Sequence, residues 1–435
     1  MNDVYVIGSY STQFKRWPEK TIQDLVRMAY SGTLQDSGIE AKDIGFTWFS
    51  NCGWGHRLAP TENSRGMLGQ MNVRGQAALA PLVNEGLFPR RTPIISVEGA
   101  CASGSLAFHG ACKDILSEQV DVSLSIGVEK TFYPEHMEKV IEMFIGGTDT
   151  SRVEELFKMH ATLGAQTGKE WSISPSHSLF MDIYANMAAW HIKKYSTTEK
   201  QLAMAASKNH MHGSLNPLAQ YQFEVPVEKV LTDYMVSWPL TRSMCSPLGD
   251  GAAAAILCSG KYLRKLPSYI KKRAVKVLAC SPGSGFEHDI SEPSTSNWAV
   301  LNAYKDAGIR PEDIDFAEVH DATSFAEIHQ LEQLGFCPLG EGGKFTESGA
   351  TRFDGSKPVN TSGGLESKGH PIGATGLSQI NEVITQLRGE AGKRQVKSPG
   401  IGLVENGGGI IGFEEFCCVI TILGNNSVKN QRRGG

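Results

Sequence analysis

The chain contains one short segment twice, and this repeat constrains the fold more than any other feature. Residues 36–46 read DSGIEAKDIGF and residues 306–316 read DAGIRPEDIDF, with six of eleven positions identical and no gap. Each copy follows a helical pattern and precedes a short apolar stretch, so we predict a helix that ends at Gly38 or Gly308 and turns into a strand. Any helix–glycine–strand connector has some similarity of this kind, but the matching flanks favour a duplicated unit.

The rest of the chain alternates between apolar strands and helical patterns, which predicts an α/β fold with helices on both faces of the sheet. Residues 132–238 interrupt this alternation and include a segment, 146–175, that we predict to be a long loop. We interpret the region as an insertion that caps one end of the core. The predicted divisions are 1–131 and 239–270 for the first half, 132–238 for the insertion, 271–424 for the second half and 425–435 for a polar tail.

Composition indicates which kinds of partner the protein binds and in which cellular compartment it is found. The 435 residues carry a formal net charge of −4, without the basic surface typical of proteins that bind nucleic acid. The nine cysteines are odd in number and form no CxxC pair, which predicts reduced thiols and no structural zinc site within the chain. The N-terminus lacks a signal-peptide pattern, and no apolar run approaches the ~20 residues that span a bilayer. We therefore expect a cytoplasmic protein without membrane contact.

Cys101 lies in a context that favours a nucleophile. The segment Glu98–Ser105, EGACASGS, leads from a predicted strand through a turn of small residues into a helix. At the helix N-terminus, free N–H groups and the helix dipole would favour a thiolate, and small neighbours would let a substrate carbonyl approach. A single cysteine is more often a buried structural residue, but this strand–turn–helix position reverses that preference.

Two histidines are further candidates for catalysis. His370 lies in the glycine-dense segment 360–376 just before a helix, where it could act as a base toward a thiol or donate to an oxyanion. His320 is followed by Asp321 at the end of the repeated strand, where a site in an α/β fold would be built. Each histidine also has a simpler interpretation. His370 could be a structural histidine, and His320 and Asp321 could be two neighbouring residues of an exposed loop.

Together these segments resemble the thiolase superfamily, from about residue 4 to residue 423. GHPIGATG at 369–376 is similar to the thiolase histidine loop, and Glu98–Ser105 resembles the turn that carries the nucleophilic cysteine. HDAT at 320–323 resembles the HDxF motif of the sterol-carrier-protein-x branch, with Thr323 in place of the aromatic residue. ENGGG at 405–409 resembles the glycine-rich loop near the end of the family.

The resemblance implies a fold and a set of roles. The fold would be the thiolase fold, with two duplicated βαβαβαββ halves stacked in layers under a capping loop domain. Cys101 would accept the acyl group, His370 would activate it, and His370 and His320 would line a first oxyanion hole. The second hole would be lined by backbone N–H groups of Cys101 and of the glycine loop, Asn406, Gly407, Gly408 and Gly409. Coenzyme A would be a substrate, with no permanently bound cofactor or metal.

The sequence departs from the family in its second catalytic cysteine. In the main branch this residue precedes the glycine loop, where this chain has Glu405 or Asn406, depending on a one-residue shift. In the sterol-carrier branch it stands third in HDxF, where this chain has Ala322. Glu405, if buried with a raised pKa, or His320 would then move the proton. Cys337 has no predicted position.

Three functions remain open at this point. The first is acyl transfer to and from coenzyme A through an acyl-Cys101, on a 3-oxoacyl-CoA that is bulky, aromatic or 2-substituted, such as 2-benzoylsuccinyl-CoA. The second is retro-aldol cleavage of a side-chain 3-hydroxyacyl-CoA, and the third is a non-catalytic lipid-binding subunit. The resemblance also implies a homodimer, and it suggests a small partner subunit with an OB-fold and a zinc ribbon that would carry the only zinc.

Overall fold

The computed structural model describes residues 3–53 and 72–425. Its strands are β1 (Val4–Ser11), β2 (Phe46–Ser50), β3 (Ile94–Val97), β4 (Val122–Glu129), β5 (Met235–Ser237), β6 (Leu240–Thr241), β7 (Gly251–Ser259), β8 (Val275–Ser284), β9 (Phe316–Glu318), β10 (Ile401–Gly408) and β11 (Cys417–Gly424). Its α-helices are α1 (Ile22–Ser37), α2 (Arg74–Asn84), α3 (Ser103–Leu116), α4 (Met137–Met143), α5 (Val153–Thr167), α6 (Leu179–Tyr195), α7 (Glu199–Ser214), α8 (Val227–Leu231), α9 (Gly260–Leu263), α10 (Ser268–Arg273), α11 (Thr295–Ala307), α12 (Ser324–Gln333), α13 (Gly342–Glu347), α14 (Gly364–Lys368) and α15 (Thr375–Leu387). The predicted tail lies outside the described residues from position 426 onward.

The two halves meet edge to edge in one sheet of the order β3-β2-β4-β7-β1-β8-β11-β10-β9. The antiparallel pair β1 and β8 lies at its centre. Outward from that pair, β7 matches β11, β4 matches β10 and β2 matches β9. The counterpart of β3 is reduced to a single bridge between Val359 and Ala317, next to β9. This pseudo-twofold order confirms that the chain is duplicated.

The repeated segment has the predicted conformation in both halves. Helices α1 and α11 end at Gly38 and Gly308, whose φ angles of 67° and 70° lie in the left-handed region that favours glycine. The chain then enters β2 at Phe46 and β9 at Phe316. The sequence pattern therefore predicted this local structure correctly.

Buried apolar side chains show a layered core. Helices α1 and α2 cover the outer face of the first half, where Leu25 and Leu79 pack into one cluster with strand residues such as Leu124. Helices α3 and α15 lie between the two halves, and their Phe108 and Leu377 share a second cluster with side chains of β1, β7 and β10. Helices α11 and α12 cover the second half. The central layer therefore brings together helices from both halves.

The insertion between β4 and β7 is a mainly helical subdomain. Its apolar side chains form a separate cluster together with those of α12. The prediction of a long loop over 146–175 was wrong, because α5 spans Val153–Thr167 within it. Its first turn carries Glu154 and Glu155, which suit the positive end of the helix dipole, and it ends at Gly168 with φ 82°. None of the described helices combines the length and the apolar character needed to cross a membrane.

Candidate active site

Cys101 lies on a tight turn between β3 and α3. Ala100 has a φ of 47°, an uncommon value for a residue other than glycine. Its carbonyl oxygen accepts hydrogen bonds from Ser103 Oγ at 2.6 Å and from Cys52 Sγ at 3.0 Å. Because the Cys101 N–H belongs to the same planar trans peptide, it must point away from these two donors. The turn therefore fixes both the thiol and the backbone N–H of Cys101.

His370 lies beside the thiol, with its Nε2 atom 3.2 Å from Cys101 Sγ. Its Nδ1 atom lies 2.7 Å from Thr375 Oγ1, and the Thr375 hydroxyl donates to the carbonyl of Pro371 at 3.0 Å. Since the only hydroxyl proton is already used, Thr375 must accept from Nδ1–H. The tautomer therefore leaves a lone pair on Nε2 directed at the thiol, as a base requires.

His320 completes the group of three. The ring centroids of His320 and His370 are 5.0 Å apart, and the ligand-type atoms of the two histidines and Cys101 all lie within 4.8 Å of one another. Asn406 Nδ2 donates to His320 Nδ1 at 3.2 Å, while Asn406 Oδ1 accepts from Ser105 Oγ at 2.9 Å. His320 therefore carries its proton on Nε2 and can donate it to an oxygen in the site.

The close approach of two equivalent helices brings these residues together. Helices α3 and α15 meet at their first turns, where a Cβ added to Gly104 would lie 3.0 Å from the Leu377 nitrogen. A Cβ on Gly376 would lie 2.2 Å from Ser105 Oγ. Only glycine allows this contact. The turn before α3 supplies Cys101 from the first half, and the loop before α15 supplies His370 from the second.

Burial controls the protonation of Cys101 and His370. It raises the pKa of the Cys101 thiol to about 12, although the backbone N–H groups of Gly409 and of Cys101 itself act in the opposite direction. Burial, together with neighbouring His320, holds the pKa of His370 well below its usual range. The prediction that the helix N-terminus favours a thiolate is therefore wrong for the resting site, because lost solvation outweighs the N–H groups. Both shifts favour a neutral thiol and a neutral imidazole in the resting site.

The glycine loop lies against the turn that carries Cys101. Gly408 and Gly409 line the same cavity as Cys101, and a Cβ on Gly408 would lie 2.1 Å from the Gly99 carbonyl oxygen. Gly409 has a φ of 69°, and its N–H interacts with the thiol. Gly407 instead packs against Glu415, and the Asn406 side chain turns toward His320. Two N–H groups, of Cys101 and Gly409, are thus available to an oxyanion.

Glu405 lies behind the site rather than in it. Its Oε2 atom accepts the backbone N–H of His320 at 2.8 Å, and Cys418 Sγ donates to Oε1 at 3.5 Å. Burial and the nearby charge of Glu415 raise its pKa to about 8, as we expected of a desolvated carboxyl group. Glu405 is absent from the described cavity lining, however. Its contacts fix the backbone of His320.

Two acidic residues support the catalytic loops: Asp321, which the sequence placed beside His320, and Glu129, which it did not single out. Asp321 Oδ1 accepts the N–H of Leu365 at 2.8 Å and so holds the first turn of α14, a helix that ends two residues before His370. Glu129 accepts the N–H groups of Cys52 at 2.8 Å and Gly373 at 3.2 Å. Asp321 lies three residues after β9, and Glu129 is the last residue of β4. A carboxylate at the end of a strand is the signal that could have identified Glu129 as well.

A cavity of about 680 Å³ opens above Cys101, His320 and His370. This volume lies within the range of small-molecule sites. The insertion supplies most of its apolar wall. The wall includes Met137, Ile141, Phe144, Phe180, Met181 and Tyr184.

Comparison with known families follows the same division into halves. The family model "Thiolase, N-terminal domain" matches residues 4–236, and the model "Thiolase C-terminal domain-like" matches residues 287–423. The chain belongs to the thiolase family. Its fold is therefore the thiolase fold, as the sequence resemblance implied.

Three relatives illustrate the range of this similarity. The acetyl-CoA acetyltransferase of Methanothermobacter thermautotrophicus is 36% identical, over 94% of this chain and 97% of its own length. Sterol carrier protein 2 of Bos taurus is 31% identical, over 94% of this chain and 71% of its own length. The benzoylsuccinyl-CoA thiolase subunit BbsB of Thauera aromatica is 32% identical, over 91% of both chains. These similarities support the assignment to the sterol-carrier type of thiolase.

Among solved structures, the Ltp2-ChsH2(DUF35) aldolase superposes with a TM-score of 0.74 over 98% of this chain and 99% of its own. The two sequences are 19% identical. At this identity the similarity concerns the fold alone.

Proposed function

We propose that this thiolase cleaves or forms a 3-oxoacyl-CoA through an acyl group carried on Cys101. The observation that carries the proposal is the 3.2 Å contact between Cys101 Sγ and a His370 Nε2 atom whose tautomer leaves it free to accept a proton. In the cleavage direction, His370 takes the thiol proton as sulfur attacks the ketone carbon. The bond between C2 and C3 then breaks, and the acyl group stays on sulfur until coenzyme A removes it.

Two sets of donors suit the negative charges that arise. The N–H groups of Cys101 and Gly409 lie at the thiol and would stabilise the oxyanion formed at C3. His320 Nε2–H, and the His370 imidazolium after it has taken a proton, would stabilise the thioester enolate. Loss of one such donor typically costs ~100- to 1000-fold in rate.

For the substrate we propose a bulky, aromatic or 2-substituted 3-oxoacyl-CoA, such as 2-benzoylsuccinyl-CoA. The cavity volume and its wall of methionine and aromatic side chains support a large apolar acyl group. Arg16 also lines the cavity, where its guanidinium stacks on Phe132 at 4.8 Å. A cation there suits an anionic group of the substrate. The relative named as a benzoylsuccinyl-CoA thiolase subunit supports the same choice.

Intact-protein mass spectrometry tests this proposal. The enzyme is incubated with acyl-CoA and 3-oxoacyl-CoA thioesters, including aromatic and 2-substituted ones, and any mass gain is mapped by peptide analysis. An adduct on Cys101 that is absent from Cys101→Ala is the expected result, and its mass identifies the acyl group. No adduct with any thioester, together with release of an aldehyde or ketone from a 3-hydroxyacyl-CoA, would instead assign the chain as a retro-aldolase.

For assembly we propose a homodimer. Strand β3 forms one edge of the described sheet and pairs on one side only, and its Ile95 is 41% exposed. An exposed strand edge with apolar side chains is a ready surface for pairing. Light scattering should give twice the chain mass, and Ile95→Lys should shift the protein toward the monomer. A wild-type monomer at micromolar concentration would refute the proposal.

We also propose a small partner subunit with an OB-fold and a zinc ribbon. Two similar proteins have names that refer to a subunit or to a second component. Purification of the chain from its native host should recover a second, zinc-containing polypeptide. Recovery of this chain alone, fully active, would refute the proposal.

A further inference from the structure

Cleavage of the bond between C2 and C3 needs an acid that the residues above do not supply. The bond's electron pair passes to C2 as an enolate, and C2 must then receive a proton. After acylation His370 holds the proton that Cys101 must recover at the end of the cycle. His320 Nδ1 accepts from Asn406, so that the single N–H of His320 is committed to the enolate oxygen. Glu405 lies behind His320, outside the described cavity lining. The acid must therefore be another group in the cavity wall.

Tyr184 is placed for this task. It lies on α6, on the face that also brings Phe180 and Met181 to the cavity, and it shares that cavity with Cys101. The side chain is 6% exposed and lines the cavity. It belongs to the same packed cluster as Ala322, two residues after His320.

The electrostatic surroundings agree with this placement. Burial raises the pKa of Tyr184 well above its usual value, and the charges of Glu415, Cys101 and Glu405 act in the same direction. Tyr184 and Cys101 also line the same cavity. A phenol with a raised pKa stays protonated until a strong base such as an enolate arises. Its conjugate base is then strong enough to deprotonate a thiol.

We propose that Tyr184 is the catalytic acid and base at C2, a role that rests on the acyl transfer proposed above. In cleavage, the C2–C3 electron pair moves to C2, and the Tyr184 O–H gives its proton to C2. The shortened thioester leaves. The tyrosinate then takes the proton of incoming coenzyme A, whose sulfur attacks the acyl group on Cys101. Cys101 leaves as a thiolate and recovers its proton from His370, so that each group ends in its starting state.

Cys245 is another candidate for the acid at C2, because it lines the same cavity and forms a β-bridge with Thr323. Its thiol already donates to the Thr241 carbonyl at 3.4 Å. Burial and the charges of Glu366 and Asp233 raise its pKa, with no contribution from Cys101. Because the Cys245 thiol already has a backbone acceptor, Tyr184 is the better candidate.

The experiment separates two half-reactions of the full-length enzyme. Exchange of labelled coenzyme A into a saturated acyl-CoA is measured at about pH 9, where much of the free coenzyme A is already a thiolate and needs no base. Under these conditions exchange needs acylation of Cys101 but no proton transfer by Tyr184. Cleavage of the 3-oxoacyl-CoA that acylates the wild type fastest needs both. Tyr184→Phe should keep exchange within ~3-fold and lower cleavage ~100- to 10,000-fold, the usual range for general acid–base catalysis. Tyr195→Phe, on the same helix but outside the cavity lining, should change neither rate.

The outcomes are distinct. Cleavage near the wild-type rate in Tyr184→Phe, an equal loss of both rates, or a cleavage-specific loss in Cys245→Ala would each overturn the role of Tyr184. No exchange and no cleavage by the wild type would overturn the proposed function itself. If the phenylalanine variant fails to fold, 3,5-difluorotyrosine at position 184 keeps the shape and lowers the phenol pKa. The alkaline limb of cleavage should then move to lower pH, and an unmoved limb would refute the proposal.

Discussion

The hydrogen bond from His370 to Thr375 offers the sharpest test of how the nucleophile is activated. Thr375→Val replaces the hydroxyl by a methyl group of similar size. It removes the acceptor that lies 2.7 Å from His370 Nδ1, and it removes one of the two donors to the Pro371 carbonyl, which keeps the N–H of Ala374 at 2.8 Å. Both groups are buried, so water cannot easily replace the lost oxygen. The proton is then free to move to Nε2, where the ring cannot act as a base.

The structure sets the size of the effect. A buried donor left without its acceptor costs about 1–3 kcal/mol. If this whole cost falls on the reactive tautomer, the acylation rate decreases roughly 5- to 150-fold, since about 1.4 kcal/mol corresponds to a factor of ten. Thr375→Ser keeps the oxygen and should stay within ~3-fold of the wild type.

Rapid-quench mass spectrometry of Cys101 acylation measures this rate directly. The coenzyme A exchange rate should fall in parallel, because it needs the same deprotonation. Thermal unfolding of both variants, followed by circular dichroism, controls for damage to the fold. Acylation by Thr375→Val at the wild-type rate would refute the argument, because it would show that the tautomer does not depend on Thr375.

Three further results are expected. Because the pKa of the Cys101 thiol is raised to about 12, the rate of its alkylation by iodoacetamide should still be increasing with pH at about pH 10. A plateau in this rate between pH 6 and 8 would indicate a thiolate–imidazolium pair instead. The pKa of Glu405 is raised to about 8 in the fold from an ordinary 4.5, so its stabilising effect is complete below the lower value and lost above the higher one. Urea titrations should therefore show the wild type losing up to about 1.4 kcal/mol per pH unit relative to Glu405→Gln between pH 5 and 8, and equal slopes would contradict the raised pKa. Zinc ions should inhibit the enzyme reversibly, because the ligand atoms of one thiol and two imidazoles lie within 4.8 Å of one another. His320→Asn should weaken this inhibition. An unchanged inhibition constant would show that zinc binds elsewhere.

Features that depend on local sequence could be predicted. Gly38 and Gly308 end equivalent helices because each stands where the helical pattern stops, and the positions around them repeat. The segment 369–376 and the turn around Cys101 were distinctive enough to predict that two positions 269 residues apart in the chain meet. The limits of the domains and the catalytic roles of the site residues stay predictions.

Features that depend on burial could not be predicted in the same way. The N–H groups around Cys101 follow from its turn, but the desolvation that outweighs them comes from the insertion and the second half of the chain. Glu405 was correctly expected to be desolvated. The direction of the Glu405 side chain depends on the pairing of β10 with β9, which places this side chain beneath the backbone of His320. Helix α5 was missed because Arg152, at its start, provides no side-chain cap.

The duplication explains why this site needs both halves of the chain. Helices α3 and α15 occupy equivalent places in the two halves, and both lie in the central layer, where Gly104 and Gly376 let their first turns touch. A symmetric contact of this kind would present the same residues twice, whereas acyl transfer needs a nucleophile facing a base. The two turns differ at the positions that matter, with Cys101 two residues before α3 and His370 five residues before α15. Because each half supplies one member of a pair separated by 3.2 Å, neither half can carry the reaction alone.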